Sequence, residues 1–421
     1  MKQKVLNWTQ QFDTFCFLDN NQYQIEPHTQ ECLLAAGIKT GFVAGSDDVL
    51  PQLQDFIYSK KGKWLLGHIN YDLKNELEQL SSVHKDNIQF PELYFFEPLI
   101  LIRLSEEQII IEADEPENVF NEINDTVLAP PAESKKVNAA IIKNRIQKEE
   151  YISIIRRLQQ HILRGDCYEI NYCQEFFADQ TEIDPLSIYK ELNDISPNPF
   201  SALYRLKDKW LLCASPERFL KKEGRKILTQ PIKGTSKRIH GDDSKDEQMK
   251  NELFLSDKDR SENVMIVDLM RNDLSKICEK GTVKVDELYG IYSFPQVHQM
   301  ISTISGELKN NISFSEILKA TFPMGSMTGA PKRRVMELIE QYEKTKRGIF
   351  SGTVGYISPD NDFDFNVVIR SIMYNHTSNY LSFQAGSAIT FYSDPEKEWE
   401  ECLLKAEAIK KIFLKKDLPT K

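Results

Sequence analysis

A lysine at position 233 lies in the stretch TQPIKGTSKR, Thr229 to Arg238, where the strand-like KILT leads into a Gly-Thr turn. Sixteen residues earlier, Glu217 stands in SPERF, at the end of the apolar run WLLCA. A strand, a turn and a second strand between them would bring an amine and a carboxyl to one cavity, the pair that nucleophilic catalysis with acid assistance requires. A buried or edge ion pair uses the same two residue types and is as common. To attack anything, the amine must lose its proton: at the ordinary lysine value of about 10.4, roughly one part in a thousand is neutral near pH ~7.5. Burial or a neighbouring cation would have to lower that value, and the apolar neighbours Pro231 and Ile232 point to burial.

Carboxylates recur on two helical stretches. In SENVMIVDLMRNDL, Glu262 falls above Ile266 and Leu269 on an otherwise apolar face, where a carboxylate needs a partner. In DPEKEWEECLLKA, Glu398 and Glu401 are one turn apart. Paired glutamates around an anionic substrate suit Mg2+, a hard cation that takes oxygen ligands. The plainer reading of a glutamate on a helix is a solvated surface charge, and Glu398 in particular fits it. FPMGSMTGAPKRRVMELIEQ, Phe322 to Gln341, reads as a glycine-containing loop feeding a helix with Val335, Leu338, Ile339 and Tyr342 on its inner stripe. Free N–H groups at such a helix start would suit an anion, and an ordinary loop-to-helix start reads equally well. No GK[ST] occurs, so it is not a Walker A loop. His298, in the strand-like FPQVHQMIST, is more simply a satisfied core or edge histidine than a catalyst.

These groups need a scaffold. The 421 residues are 41% apolar and 10% aromatic, enough for a large core in two domains or one large one. Sixty-three acidic against fifty-three basic residues, a net charge of -10, argue against a nucleic-acid partner, whose phosphates call for surplus Lys and Arg. The seven cysteines are odd in number and free of CxxC spacing, which supports neither a disulfide framework nor a zinc site and fits a reducing compartment. The N-terminus lacks an apolar signal core, and no later run reaches the roughly 20 apolar residues of a spanning helix, so a cytoplasmic protein with no membrane partner is expected. The polar, proline-paired DTVLAPPAESKK, Asp125 to Lys136, reads as a connection between an N-terminal region, 1–130, and a catalytic region, 145–421. WLLGHINYDL and LYFFEPLILIRL read as buried strands of the first region, which shows no catalytic spacing of its own. In the second, EEYISIIRRLQQHIL has helical periodicity, while KWLLCAS, GTVKVDELY, GTVGYI, FNVVIRSIMY and YLSFQAGSAI read as strands. Helices and β-ribbons alternate without a βαβ rhythm, so the fold class is α+β.

Taken in order, SPERF, PIKGT, ENVMIVDLMRND, VHQMIST, FPMGSMTGAPKRR, GTVGY, VVIR and AGSAI followed by PEKEWEECLLKA resemble the chorismate-utilising enzymes from about Tyr151 to Phe413. NYDL, Asn70 to Leu73, extends the resemblance more weakly towards the N-terminus. The fold implied is that of anthranilate synthase component I, packed antiparallel β-sheets flanked by helices. Within the family, anthranilate synthase component I usually has Ala where this chain has Lys233, whereas PIKGT is similar to the aminodeoxychorismate synthase component I branch of p-aminobenzoate and folate synthesis.

By that resemblance, Lys233 attacks C2 of chorismate while Glu217 protonates the leaving C4 hydroxyl, and ammonia then attacks C4 and expels the lysine. Glu262 and Glu401 match the family's Mg2+ ligands, with Glu398 and Asp259 nearby. Arg370 matches the arginine that forks onto a substrate carboxylate. Gly234, Thr235, Ser326 and Gly386 fall where the chorismate pocket is lined, and His298 matches a pocket histidine, which the resemblance sets beside Lys233 and Glu217 among the catalytic residues. Ammonia would come from a separate glutamine amidotransferase subunit, component II. Phe350 and Ala388 depart from a frequent Tyr and Gly. Glu169, in DCYEIN, stands where relatives carry Gln or Lys, and the missing Lys argues against water as nucleophile. Anthranilate synthase component I is the alternative enzyme; a non-catalytic chorismate-binding subunit would require a broken site. Relatives also hold tryptophan in a separate pocket. Pro199, Phe200 and Ser201 match its far wall, but FLDNN around Asn20 departs from the near wall, so no tryptophan inhibition is expected.

Overall fold

The computed structural model describes residues 1–23, 30–44, 48–127 and 141–413. The continuous apolar runs form strands buried on both faces: in Lys209–Ser215, KWLLCAS, every residue after the first is buried. Among the described residues every strand pairing is antiparallel, and the pairings join into one ladder. It begins at Lys284–Ser293 and Val297–Glu307, which pairs in turn with Lys226–Gln230 and Ile232–Lys237. Arg218–Glu223, Phe363–Asn366, Thr353–Ile357, Leu65–Ile69, Leu93–Leu104 and Cys32–Val43 follow. Thr14–Asp19, Phe200–Leu206, Lys209–Ser215, Ser371–Asn375 and Tyr380–Ile389 continue it to Glu169–Ala178.

Because side chains alternate along a strand, the ladder feeds two cores: Phe15 and Phe17 enter one, and Cys16 between them enters the other. Helices Asp257–Ile277 and Phe314–Thr321 give Ile266, Met270, Ile317 and Leu318 to the Cys16 core. Helices Lys148–Leu163, Lys332–Tyr342 and Pro395–Phe413 give Ile155, Leu158, Leu338 and Ile409 to the other. This is the α+β arrangement of packed antiparallel sheets and flanking helices expected from the sequence. None of these helices is long and apolar enough to cross a membrane among the described residues.

The expected division into 1–130 and 145–421 does not separate two sheets. Thr14–Asp19 pairs with Phe200–Leu206, and Leu65–Ile69 pairs with Thr353–Ile357, so the N-terminal strands sit in the middle of the ladder. Residues 128–136 of the expected connection lie outside the described residues. Strands far apart along the ladder meet: Lys233, on Ile232–Lys237, reaches Glu169, the first residue of Glu169–Ala178.

Candidate active site

Lys233 sits on a bulge. Ile232 faces Ile301 and Thr235 faces Gln299, so Lys233 and Gly234 share the space opposite Met300. Gly234 has φ +95°, and a side chain there would come within 3.0 Å of Asp259. Glycine thus lets the helix Asp257–Ile277 close onto the bulge. Lys233 is 8% exposed, and its Nζ donates to Glu169 Oε1 at 2.7 Å. Burial alone would lower the lysine's pKa, but the carboxylates of Glu169, Glu262 and Glu217 hold it above the usual lysine value. The depressed lysine expected from its apolar neighbours is therefore overturned, because surrounding negative charge outweighs desolvation.

Glu217 follows the buried strand Lys209–Ser215. Its N–H donates to Ser215 Oγ at 3.2 Å and its carbonyl accepts from the Val367 N–H at 3.0 Å, which fixes the turn. Burial raises its carboxyl to about 7, against the nearby Ser326 hydroxyl, Lys233 and Arg370, which favour the ionised form. Arg370, beside Glu217, has a left-handed backbone, φ 50°. Burial lowers its guanidinium to about 10 despite Glu217. The turn carrying Ser326 is held from behind: Asn171 Nδ2 donates to Ser326 O at 2.9 Å, and the buried Arg347 donates to Met327 O at 2.6 Å. The structure thus gathers Lys233, Glu217, Ser326 and Arg370 into one site, with Glu169 added.

The helix Asp257–Ile277, capped by Ser256 accepting from the Asp259 N–H at 3.2 Å, presents Glu262, 9% exposed, towards the lysine. Burial raises Glu262 to about 7, with Lys233 opposing and Glu169 reinforcing. From the helix Pro395–Phe413 comes Glu398, 2% exposed, with Ser387 Oγ donating to its Oε2 at 2.5 Å. The solvated reading of Glu398 is overturned. Glu401 is the outer of the two, half-exposed and paired with Lys405 at 2.8 Å. Burial would raise Glu401, but Lys405, Lys258 and Lys233 bring it below the usual carboxylate value. Among the described residues no three His, Cys, Asp or Glu side chains converge on one point. A buried oxygen of Glu262 without a hydrogen bond, and an all-carboxylate donor set, nonetheless fit a hard divalent cation.

Other expected site residues have different surroundings. His298 uses both ring nitrogens elsewhere, Nε2 with Asp246 at 3.1 Å and Nδ1 with Ser293 at 2.9 Å, as the plainer reading of a satisfied histidine requires. Thr235 is exposed. At Gly386 a side chain would meet Tyr172 O at 2.0 Å, so glycine there permits close pairing with the strand Glu169–Ala178. Asn20, Pro199, Phe200 and Ser201 line one cavity together with Asp19, Arg218 and Asp364. Asp19 already takes both its oxygens to Lys2 at 2.9 Å. Asn21, which sequence reasoning passed over, donates to Asn198 O at 2.8 Å and to Ser201 Oγ at 2.9 Å. Glu169 drew attention as a departure but not as the lysine's partner, since only the tertiary approach of two unpaired strands joins them. Lys258, four residues before Glu262, was legible in that spacing and was missed.

Comparison with known proteins places these features in context. The sequence profile of the family described as chorismate binding enzyme matches residues 7–411. Aminodeoxychorismate synthase component 1 of Escherichia coli (strain K12) is 33% identical over 348 residues, 82% of this chain and 76% of that protein. An anthranilate synthase component I-like protein of Synechocystis sp. is 33% identical over 353 residues, 83% of this chain and 72% of that protein. The crystal structure of anthranilate synthase component I from Streptococcus pneumoniae TIGR4 shares the fold, with a TM-score of 0.79 at 23% identity over 92% of this chain and 94% of that one.

Proposed function

Because the chain belongs to the family of chorismate binding enzymes, we propose that it aminates chorismate, as component I of an aminodeoxychorismate synthase, giving 4-amino-4-deoxychorismate for p-aminobenzoate and folate synthesis. The observation that carries this is the burial of Lys233 and Glu217 close enough for each to feel the other's charge, with the Glu217 carboxyl raised to about 7. An amine for attack and a half-protonated acid for the leaving group are the two groups such a displacement needs.

The amine of Lys233 attacks C2, both double bonds of the ring diene shift one position round the ring, the C4–oxygen bond breaks, and Glu217 gives its proton to the departing hydroxyl. Ammonia then attacks C4, both double bonds shift back and the lysine leaves C2. Glu169 opposes the first step, because it stabilises Lys233 as the ammonium. Arg370 supplies a planar fork for a substrate carboxylate, and the Ser326 turn lines the same pocket. Glu262, Glu398 and Glu401 would hold Mg2+, which supplies positive charge for a second substrate carboxylate. A glutamine amidotransferase partner delivers the ammonia, in the cytoplasm.

Incubating the protein with chorismate, Mg2+ and an ammonium salt, and identifying the product by mass spectrometry, tests this directly. 4-Amino-4-deoxychorismate is the expected product. Anthranilate would move the assignment to anthranilate synthase component I, and unconsumed chorismate would leave a binding subunit.

A further inference from the structure

Glu262 and Glu398 come from different helices, and both are buried. Two carboxylates stripped of water and facing a common space need positive charge to stay ionised there. Lys258 supplies it: its Nζ lies 3.9 Å from Oε1 of Glu262 and 3.9 Å from Oε1 of Glu398. Both distances exceed hydrogen-bond reach, so the ammonium acts as a point charge centred between the two. The oxygens it faces are not taken by anything stronger. Glu262 Oε1 has no hydrogen bond, and Glu398 is pinned by Ser387 through its other oxygen. The lysine's own side chain is 58% exposed, so the charge enters from solvent and leaves with few contacts to break.

We propose that the Lys258 ammonium stands in for the divalent cation in the metal-free protein: it holds Glu262 and Glu398 in place and swings out when the cation binds. This rests on the reading above that these glutamates hold that cation. Lys258 is then a positioning residue that keeps the two helices' carboxylates apart at the right spacing and, by competing, weakens metal affinity. Removing its charge should tighten metal binding, whereas a lysine that merely decorates the helix surface would leave it unchanged.

The test is Mn2+ binding without chorismate, followed through the electron paramagnetic resonance of the free ion, for the full chain and its Lys258→Met, Lys258→Arg and Glu262→Gln variants. Lys258→Met should bind at least tenfold tighter, and Lys258→Arg no tighter than wild type. Metal-free Lys258→Met should also melt lower and recover more on saturation with Mn2+. Unchanged or weaker binding in Lys258→Met overturns the proposal, as does equal tightening in Lys258→Arg. If Glu262→Gln leaves binding intact, the cation lies elsewhere and the underlying reading fails as well. If Glu262→Gln abolishes binding but Lys258→Met does not tighten it, the role of Lys258 alone fails.

Discussion

Lys233 Nζ and Glu169 Oε1 are 2.7 Å apart, both buried, on strands that lie far apart along the ladder and do not pair with each other. The reactive form of the site needs Lys233 neutral and Glu217 protonated. With the lysine above its ordinary value and Glu217 at about 7, that form is a minor arrangement of one proton shared between the two. The rate should therefore follow a bell, with its acid limb at the Glu217 value and its alkaline limb at that of Lys233. Glu169→Gln removes the lysine's nearest negative charge. The alkaline limb should move down, and the plateau rate should rise, because a larger share of the lysine is then neutral. Rapid-quench rates of the first turnover across pH decide this; an alkaline limb that stays in place would show that Glu169 does not set the lysine's charge.

Lys233→Ala should form no chorismate-derived adduct and should lose most of its turnover, by at least ~100-fold for removal of a covalent nucleophile. Intact-mass measurement after rapid quench reads the adduct. Finding the same adduct on the variant would place the nucleophile elsewhere.

Glu398→Ala should weaken Mg2+-dependent chorismate binding at least as much as Glu401→Ala, reversing the order expected from sequence. Glu398 is buried and held by Ser387, while Glu401 is half-exposed and paired with Lys405. Calorimetric titration with chorismate at saturating Mg2+ ranks the two; a large effect confined to Glu401→Ala would restore the sequence order.

Millimolar tryptophan should leave the initial rate unchanged. The cavity bounded by Asn20, Pro199, Phe200 and Ser201 has its acidic wall, Asp19, committed to Lys2, and Asn21 already bonded to Ser201. Rates measured with and without the amino acid test this, and strong inhibition would turn the assignment towards anthranilate synthase component I.

Local pattern carried much of the fold into view. Continuous apolar runs such as KWLLCAS became strands, and the stripe Val335, Leu338, Ile339 and Tyr342 became a buried helix face. The pairing of those strands was not legible, because register between segments far apart in sequence depends on contacts that no local spacing encodes. The same limit applies at DTVLAPPAESKK: its composition marks a connection, while the membership of the strands on either side in one ladder is not encoded there. At the site, Lys233 and Glu217 were found from their flanking residues. The charge state of Lys233 was not, since it depends on Glu169, 64 residues away in sequence. Glu398 was undervalued because a glutamate on a helix looks the same in sequence whether water or Ser387 meets it.

The placement of the N-terminal strands mid-ladder gives a region without chemistry a definite task. Cut away, it would leave Phe200–Leu206 without its partner Thr14–Asp19, and Thr353–Ile357 without Leu65–Ile69. Each would present an open row of backbone donors and acceptors, and such rows recruit strands from other molecules. The quiet region thus acts as a seal against self-association: a chain begun at residue 145 would carry Lys233, Glu217 and Glu169 and would still be driven towards aggregates.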